Sequence, residues 1–142
     1  MRALTKDGRR KLKQVVKGLR ALGVRFDRVI TSPWTRAADT ARLLAPLCDD
    51  APRTTDLLTH PPRAELLSLL AASAADTAST AVVGHEPWLG ELIAWLAFGD
   101  TRHGDALELK KASVVWLDGS AVPGGMTLRA VLPPKFVRAV RC

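Results

Sequence analysis

Leu12, Val15, Val16, Leu19 and Leu22 recur every three or four residues, while Lys6, Arg9, Arg10, Lys13, Lys17 and Arg20 fall on the opposite side. This spacing predicts an amphipathic helix. Thr5 is placed to cap its start, Asp7 lies in the first turn where a negative charge favours the helix dipole, and Gly23 suits its end. Arg28 to Ser32 then reads as a short buried strand, with Pro33 at the first position of a following helix and Ser32 as its cap. That helix is predicted to run to about Leu47 through Ala37, Ala41 and Leu44. Asp49 to Thr55 is polar and turns into a short strand, and Pro61 and Pro62 introduce a helix through Leu66, Leu67, Leu69 and Leu70. Thr80 to Val83 is a second apolar strand, after which Pro87 opens a helix with Leu89, Leu92, Ile93 and Leu96 on one side. Ala112 to Leu117 and Met126 to Leu132, separated by Asp118-Gly119-Ser120 and Pro123-Gly124-Gly125, read as two strands joined by a loop. Strands alternating with helices imply an α/β fold, a mainly parallel sheet with helices on both faces.

Composition narrows the class. With 142 residues, 47% of them hydrophobic and 25% charged, the chain has the balance of one globular domain, expected to span residues 1–142. No internal repeat, low-complexity tract or linker interrupts it. Cys48 and Cys142 form neither a zinc spacing nor a C-x-x-C pair, which favours a reducing, cytoplasmic location. The apolar run from Leu92 to Phe98 is far short of the ~20 residues a membrane span needs, and no signal peptide is expected because no apolar stretch follows the basic start. Residues 1–20 hold eight basic side chains and one acidic one, a surplus that equals the whole net charge of +7. A nucleic-acid partner is therefore conceivable only through that segment, and the absence of interleaved aromatics there argues against it in favour of a solvated helix face.

The two junctions that follow the predicted parallel strands share one plan: Ser32-Pro33-Trp34-Thr35-Arg36 and Gly84-His85-Glu86-Pro87-Trp88. Such junctions lie on the carboxyl edge of an open α/β sheet, where ligands bind, and both helices would aim free N–H groups at that edge. Arg36 could fork onto two phosphate oxygens, and His85 could donate a hydrogen bond or exchange a proton. The pattern equally allows a solvated Arg and a helix-capping His. Other chemistries lack their signatures. His60, His85 and His103 have no H-x-x-x-H or C-x-x-C partner for zinc, Ser32 lacks the G-x-S-x-G elbow, and there is no P-loop. Neither a metal nor a cofactor is expected. Trp34, Trp88, Trp95 and Trp116 are scattered, as expected for core or pocket-wall packing.

Leu4-Thr5 with Gly8-Arg9-Arg10, Ser32-Pro33-Trp34-Thr35-Arg36-Ala37 with Thr40-Ala41, and Val83-Gly84-His85-Glu86-Pro87 with Leu89 resemble, in order and spacing, the phosphohistidine phosphatases of the SixA type. These belong to the histidine phosphatase, or phosphoglycerate mutase-like, superfamily. Lys110-Lys111-Ala112-Ser113 leading into Val114-Val115-Trp116-Leu117 is similar to that family's late strand. The resemblance implies that Arg36 and His85 surround a phosphoryl group, and that Arg2 can contact it, a solvated terminal Arg being the competing reading. It also implies a metal-free hydrolysis of phosphohistidine, or of another small phosphorylated group, through a phosphohistidine enzyme intermediate.

One departure accompanies these matches. The family opens with a strand ending in Arg-His that supplies the nucleophile, and the chain is expected to begin roughly twenty residues beyond that point, with the central strand absent. His60, before two prolines, and His103, in a turn region, are expected to be solvated. Asp56 and Glu86 are the candidate acids for the leaving group. The partner implied is a phosphorylated protein or small phosphorylated substrate, with no membrane. Two alternatives stand beside the enzyme: a non-catalytic module that binds phosphate or phosphohistidine, and a protein whose basic helix binds nucleic acid or an acidic partner.

Overall fold

The computed structural model describes residues 3–72, 79–107 and 109–140. Helix α1 (Lys6–Ala21) starts where Thr5 Oγ1 accepts the N–H of Gly8 at 2.9 Å, and it buries Leu12, Val15, Val16 and Leu19. Gly23, at φ +79°, ends it as predicted, with Val24 N–H turned back to Leu19 O. Leu22 departs from its predicted place on the apolar face. It is the residue that closes the helix, and it is 53% exposed.

Strand β1 (Arg28–Thr31) is the centre of a three-stranded parallel sheet, between β2 (Arg53–Thr54) and β3 (Thr80–Val83). Helix α2 (Thr35–Leu43) and a 3-10 turn at Ala45–Leu47 lead from β1 to β2, and the 3-10 turn Asp56–Leu58 with α3 (Ala64–Ala71) leads from β2 to β3. The predicted helix to Leu47 is thus two pieces. Helix α4 (Trp88–Phe98) ends at Gly99, φ +81°, and a 3-10 helix, Thr101–Ala106, packs back on it. Strands β4 (Val114–Gly119) and β5 (Met126–Leu132) form a separate antiparallel hairpin, and α5 (Pro134–Arg138) follows.

Alternation along the strands distributes two cores. On one face Val29 of β1 joins Leu12, Val15 and Val16 of α1, Ala41 of α2 and Val137 of α5, with Ala81, Val83, Val114 and Leu132 packed against them. On the other, Ile30 joins Leu66 and Leu67 of α3 and Leu92 and Leu96 of α4, with Val82, Leu117 and Met126. The parallel sheet therefore lies between two layers of helices, and the hairpin adds Val114 and Leu132 to one core and Leu117 and Met126 to the other, although no described strand hydrogen-bonds the two sheets together.

Candidate functional site

The register of the parallel sheet brings the two junctions together. Thr31 lies opposite Val83, and Ser32 N–H donates to Val83 O at 3.0 Å, so Ser32 and Gly84-His85 leave the same edge side by side. Ser32 is fully buried, and its Oγ lies 2.9 Å from His85 Nε2 while accepting the N–H of Trp34 at 3.1 Å. This corrects the predicted cap. Helix α2 begins at Thr35 after an N-cap residue, Trp34, without a side-chain cap bond, and the Ser32 hydroxyl serves the histidine instead.

Arg36 sits in the first turn of α2, where Thr40 Oγ1 donates to its carbonyl at 2.9 Å. Its Nε is buried and has no hydrogen-bond partner. A guanidinium N–H removed from water without an acceptor is costly, and a negative group placed against it would offset that cost. Burial, reinforced by the charge of Arg36, holds the pKa of His85 below the ordinary imidazole value, so the ring is neutral at pH 7 while the site is free. Trp34 packs beside it with ring centroids 4.7 Å apart, and Trp88 meets both rings at 5.9 and 6.4 Å.

The other candidates fall in different places. His60 is not in open solvent as predicted; it is half-buried and lines a cavity of about 10 Å³ with Leu57, Leu58, His85, Trp88 and Leu89. The chain folds there through the 3-10 turn before Pro61, which sequence spacing does not reveal. Glu86 Oε1 accepts the N–H of Gly90 at 2.9 Å, and partial burial raises its pKa against the pull of that bond. Asp56 is exposed at the start of its 3-10 turn. Arg2 lies outside the described residues. Trp95 is half-buried against the core, whereas Trp116 is 59% exposed on the hairpin and does not pack as predicted. Among the described residues no three His, Cys, Asp or Glu side chains gather to hold a metal ion.

Sequence reading missed Asp39. Only 6% exposed, it accepts from Arg42 at 2.6 Å and pairs with Arg9 of α1 at 3.7 Å, one turn beyond Arg36. The i,i+3 spacing to Arg42 was visible, but the link to α1 was not. Also unnoticed was Arg102-His103, which repeats the Arg-His letters of the family's opening motif. It lies in the 3-10 helix after α4 with His103 exposed and Arg102 paired to Asp100, and it ends no strand.

Residues 2–59 match the model of the histidine phosphatase superfamily (branch 1). An uncharacterized protein of Picosynechococcus sp. is 37% identical over 131 residues, which cover 84% of this chain and 73% of that protein. The chain belongs to the histidine phosphatase superfamily. Among solved structures, the protein histidine phosphatase SixA complexed with tungstate superposes with a TM-score of 0.79 at 21% identity, covering 96% of this chain and 87% of the other. A protein of Nakamurella multipartitia proposed to be the phosphohistidine phosphatase SixA gives a TM-score of 0.68 at 27% identity, covering 94% and 85%. A phosphoserine phosphatase of Entamoeba histolytica in complex with 3-phosphoglyceric acid gives 0.68 at 15%, covering 92% and 84%. Membership of the histidine phosphatase superfamily accords with the parallel sheet and its helices, and it supports a phosphatase function.

Proposed function

We propose that residues 1–142 act as one domain carrying the phosphoryl-binding body of a phosphohistidine phosphatase, or of a phosphatase of another small phosphorylated group. The observation that carries this reading is the buried, unpartnered Nε of Arg36 beside a neutral His85 at the carboxyl edge of β1 and β3. Arg36 would bind two phosphoryl oxygens, and His85, its Nε2 held by Ser32, would present Nδ1 to a third. Arg2 is the further candidate on the same anion.

In the reaction an imidazole nitrogen attacks phosphorus, the bond to the leaving group breaks with its electron pair, and water then cleaves the new P–N bond to release phosphate. Arg36 and His85 stabilise the charge that spreads over the equatorial oxygens. The attacking imidazole belongs to a strand that would fill the layer between β3 and the hairpin, where both cores continue but no described strand joins the two sheets. None of the three histidines of this chain ends a strand. Glu86 and Asp56 remain the candidate acids, and Glu86 is the closer in chain position to His85. A second reading, a phosphate- or phosphohistidine-binding module without catalysis, is favoured by that same lack of a strand-end histidine.

Calorimetry with inorganic phosphate near neutral pH tests the site. Arg36→Ala should weaken binding by ~1.5–3 kcal/mol, the range for a hydrogen bond to a charged group. Equal affinity in the wild type and the variant removes the assignment.

A further inference from the structure

Trp34 is oddly placed for a packing residue. It is 37% exposed, its N–H is bound to the Ser32 Oγ that also holds His85, and it lies two residues from Arg36. One part of the indole lies against the His85 ring at 4.7 Å, tilted by 38°, and Trp88 meets it at 5.9 Å. The remaining surface of Trp34 is open to water directly beside the polar corner. A large apolar ring packed against His85 and Trp88 loses little freedom when something lies on it.

We propose that Trp34, braced by Trp88, is a specificity-determining platform on which the group bearing the phosphoryl stacks, so that the site prefers phosphoryl groups carried on a flat ring over those carried on an alkyl chain. The proposal rests on the phosphoryl-binding reading given above. With the anion held by Arg36 and His85, a substituent lying over His85 would meet the exposed part of the Trp34 ring packed beside it. A flat ring gains contact with the indole there that a two-carbon chain cannot make. An imidazole and a phenyl ring satisfy that geometry alike, and the phosphoryl oxygens keep the same partners in either case.

The test uses the 142-residue chain with phenylphosphonate and ethylphosphonate, neither of which is hydrolysed, compared at a pH alkaline enough for both heads to be dianions, and with inorganic phosphate. Dissociation constants are read by calorimetry. Phenylphosphonate should bind roughly 3- to 10-fold more tightly than ethylphosphonate, the span an aromatic pair adds beyond area burial. In Trp34→Leu this ratio should fall to about one, and in Trp34→Phe, which keeps a ring in place, most of it should return. A ratio near one in the wild type, or a ratio unchanged in Trp34→Leu, overturns the platform. Weakening of all three ligands by the same factor in both variants does so too, since it marks Trp34 as a packing support for His85. A folding defect in Trp34→Leu is detected by its melt, and the wild-type and Trp34→Phe ratios then decide. Should inorganic phosphate bind the wild type and Arg36→Ala equally, the phosphoryl site itself fails and the platform falls with it. Phosphate binding lost in Arg36→Ala with no ring preference leaves the site standing and removes only the platform.

Discussion

His85 sits where burial and a neighbouring cation both oppose its charge, and that opposition has a measurable consequence. In the free site the proton is disfavoured; a bound dianion favours it. Binding therefore takes up a proton, and affinity must rise as pH falls from the raised pKa of the bound site towards the depressed pKa of the free site, levelling off below it. Sulfate isolates the effect because it stays dianionic between pH 5 and 8. Calorimetric titration should show sulfate binding strengthened by up to about tenfold per pH unit on descending that range, the limit for one linked proton. In His85→Gln the slope should flatten. A slope kept in that variant and lost in His60→Gln would move the linked proton to the other histidine of the cavity.

At the scale of elements, α1 is held from both ends of its buried face. Asp39 of α2 takes Arg9 near its start, and near its end Gly18 lets the backbone of α5 approach. A Cβ built on Gly18 would lie 1.9 Å from the carbonyl oxygen of Val137, an approach that requires the helices to separate. Gly18→Ala should therefore destabilise the protein by ~1–3 kcal/mol, the cost of overpacking a filled core, despite the higher helix propensity of alanine. Urea denaturation checks this through a lower midpoint at unchanged slope. An unshifted midpoint would mean that α5 is not docked on α1 in solution.

For the whole molecule the decisive feature is a layer made of two sheets. Helices cover both faces of the parallel sheet, while the hairpin packs on the two cores through one face of β5 and leaves Thr127, Arg129 and Val131 exposed; among the described residues the second edge of β3 pairs with no strand. Such an edge leaves main-chain groups without ladder partners and keeps all four residues of β3 only half-buried. If the attacking histidine arrives on a strand at that place, the 142 residues alone should bind phosphate but turn over a nitrophenyl phosphate no faster than buffer. A phosphohistidine trapped on His85 in this chain would refute that assignment. Charge acts at the same scale. Apart from Arg9, which pairs with Asp39, the basic positions of α1 point outward, with Lys13, Lys17 and Arg20 exposed, and they draw anions towards the molecule.

What was legible in the residues alone is what neighbours in sequence decide. The α1 periodicity with its Thr5 cap and Gly23 stop and the β1 and β3 runs rest on contacts a few residues apart and appear where they were read, and both strand-to-helix junctions are present although their helices start at Thr35 and Trp88, one or two residues past the prolines. Arg36 and His85 could be proposed as site residues for the same reason, because each belongs to a junction with its own local grammar. Tertiary structure decided the rest. Ser32 and His85 are 53 residues apart, so only the register of β1 on β3 could turn the Ser32 hydroxyl from a helix cap into a histidine partner. Periodicity marks which positions are apolar but not what covers them. Leu22 and Trp116 were therefore read as packed although they are exposed, while His60 was read as solvated although it lines the cavity beside His85. The division of the strands into two sheets follows the same rule, because strand pairing is a long-range choice that a run of apolar residues permits without specifying.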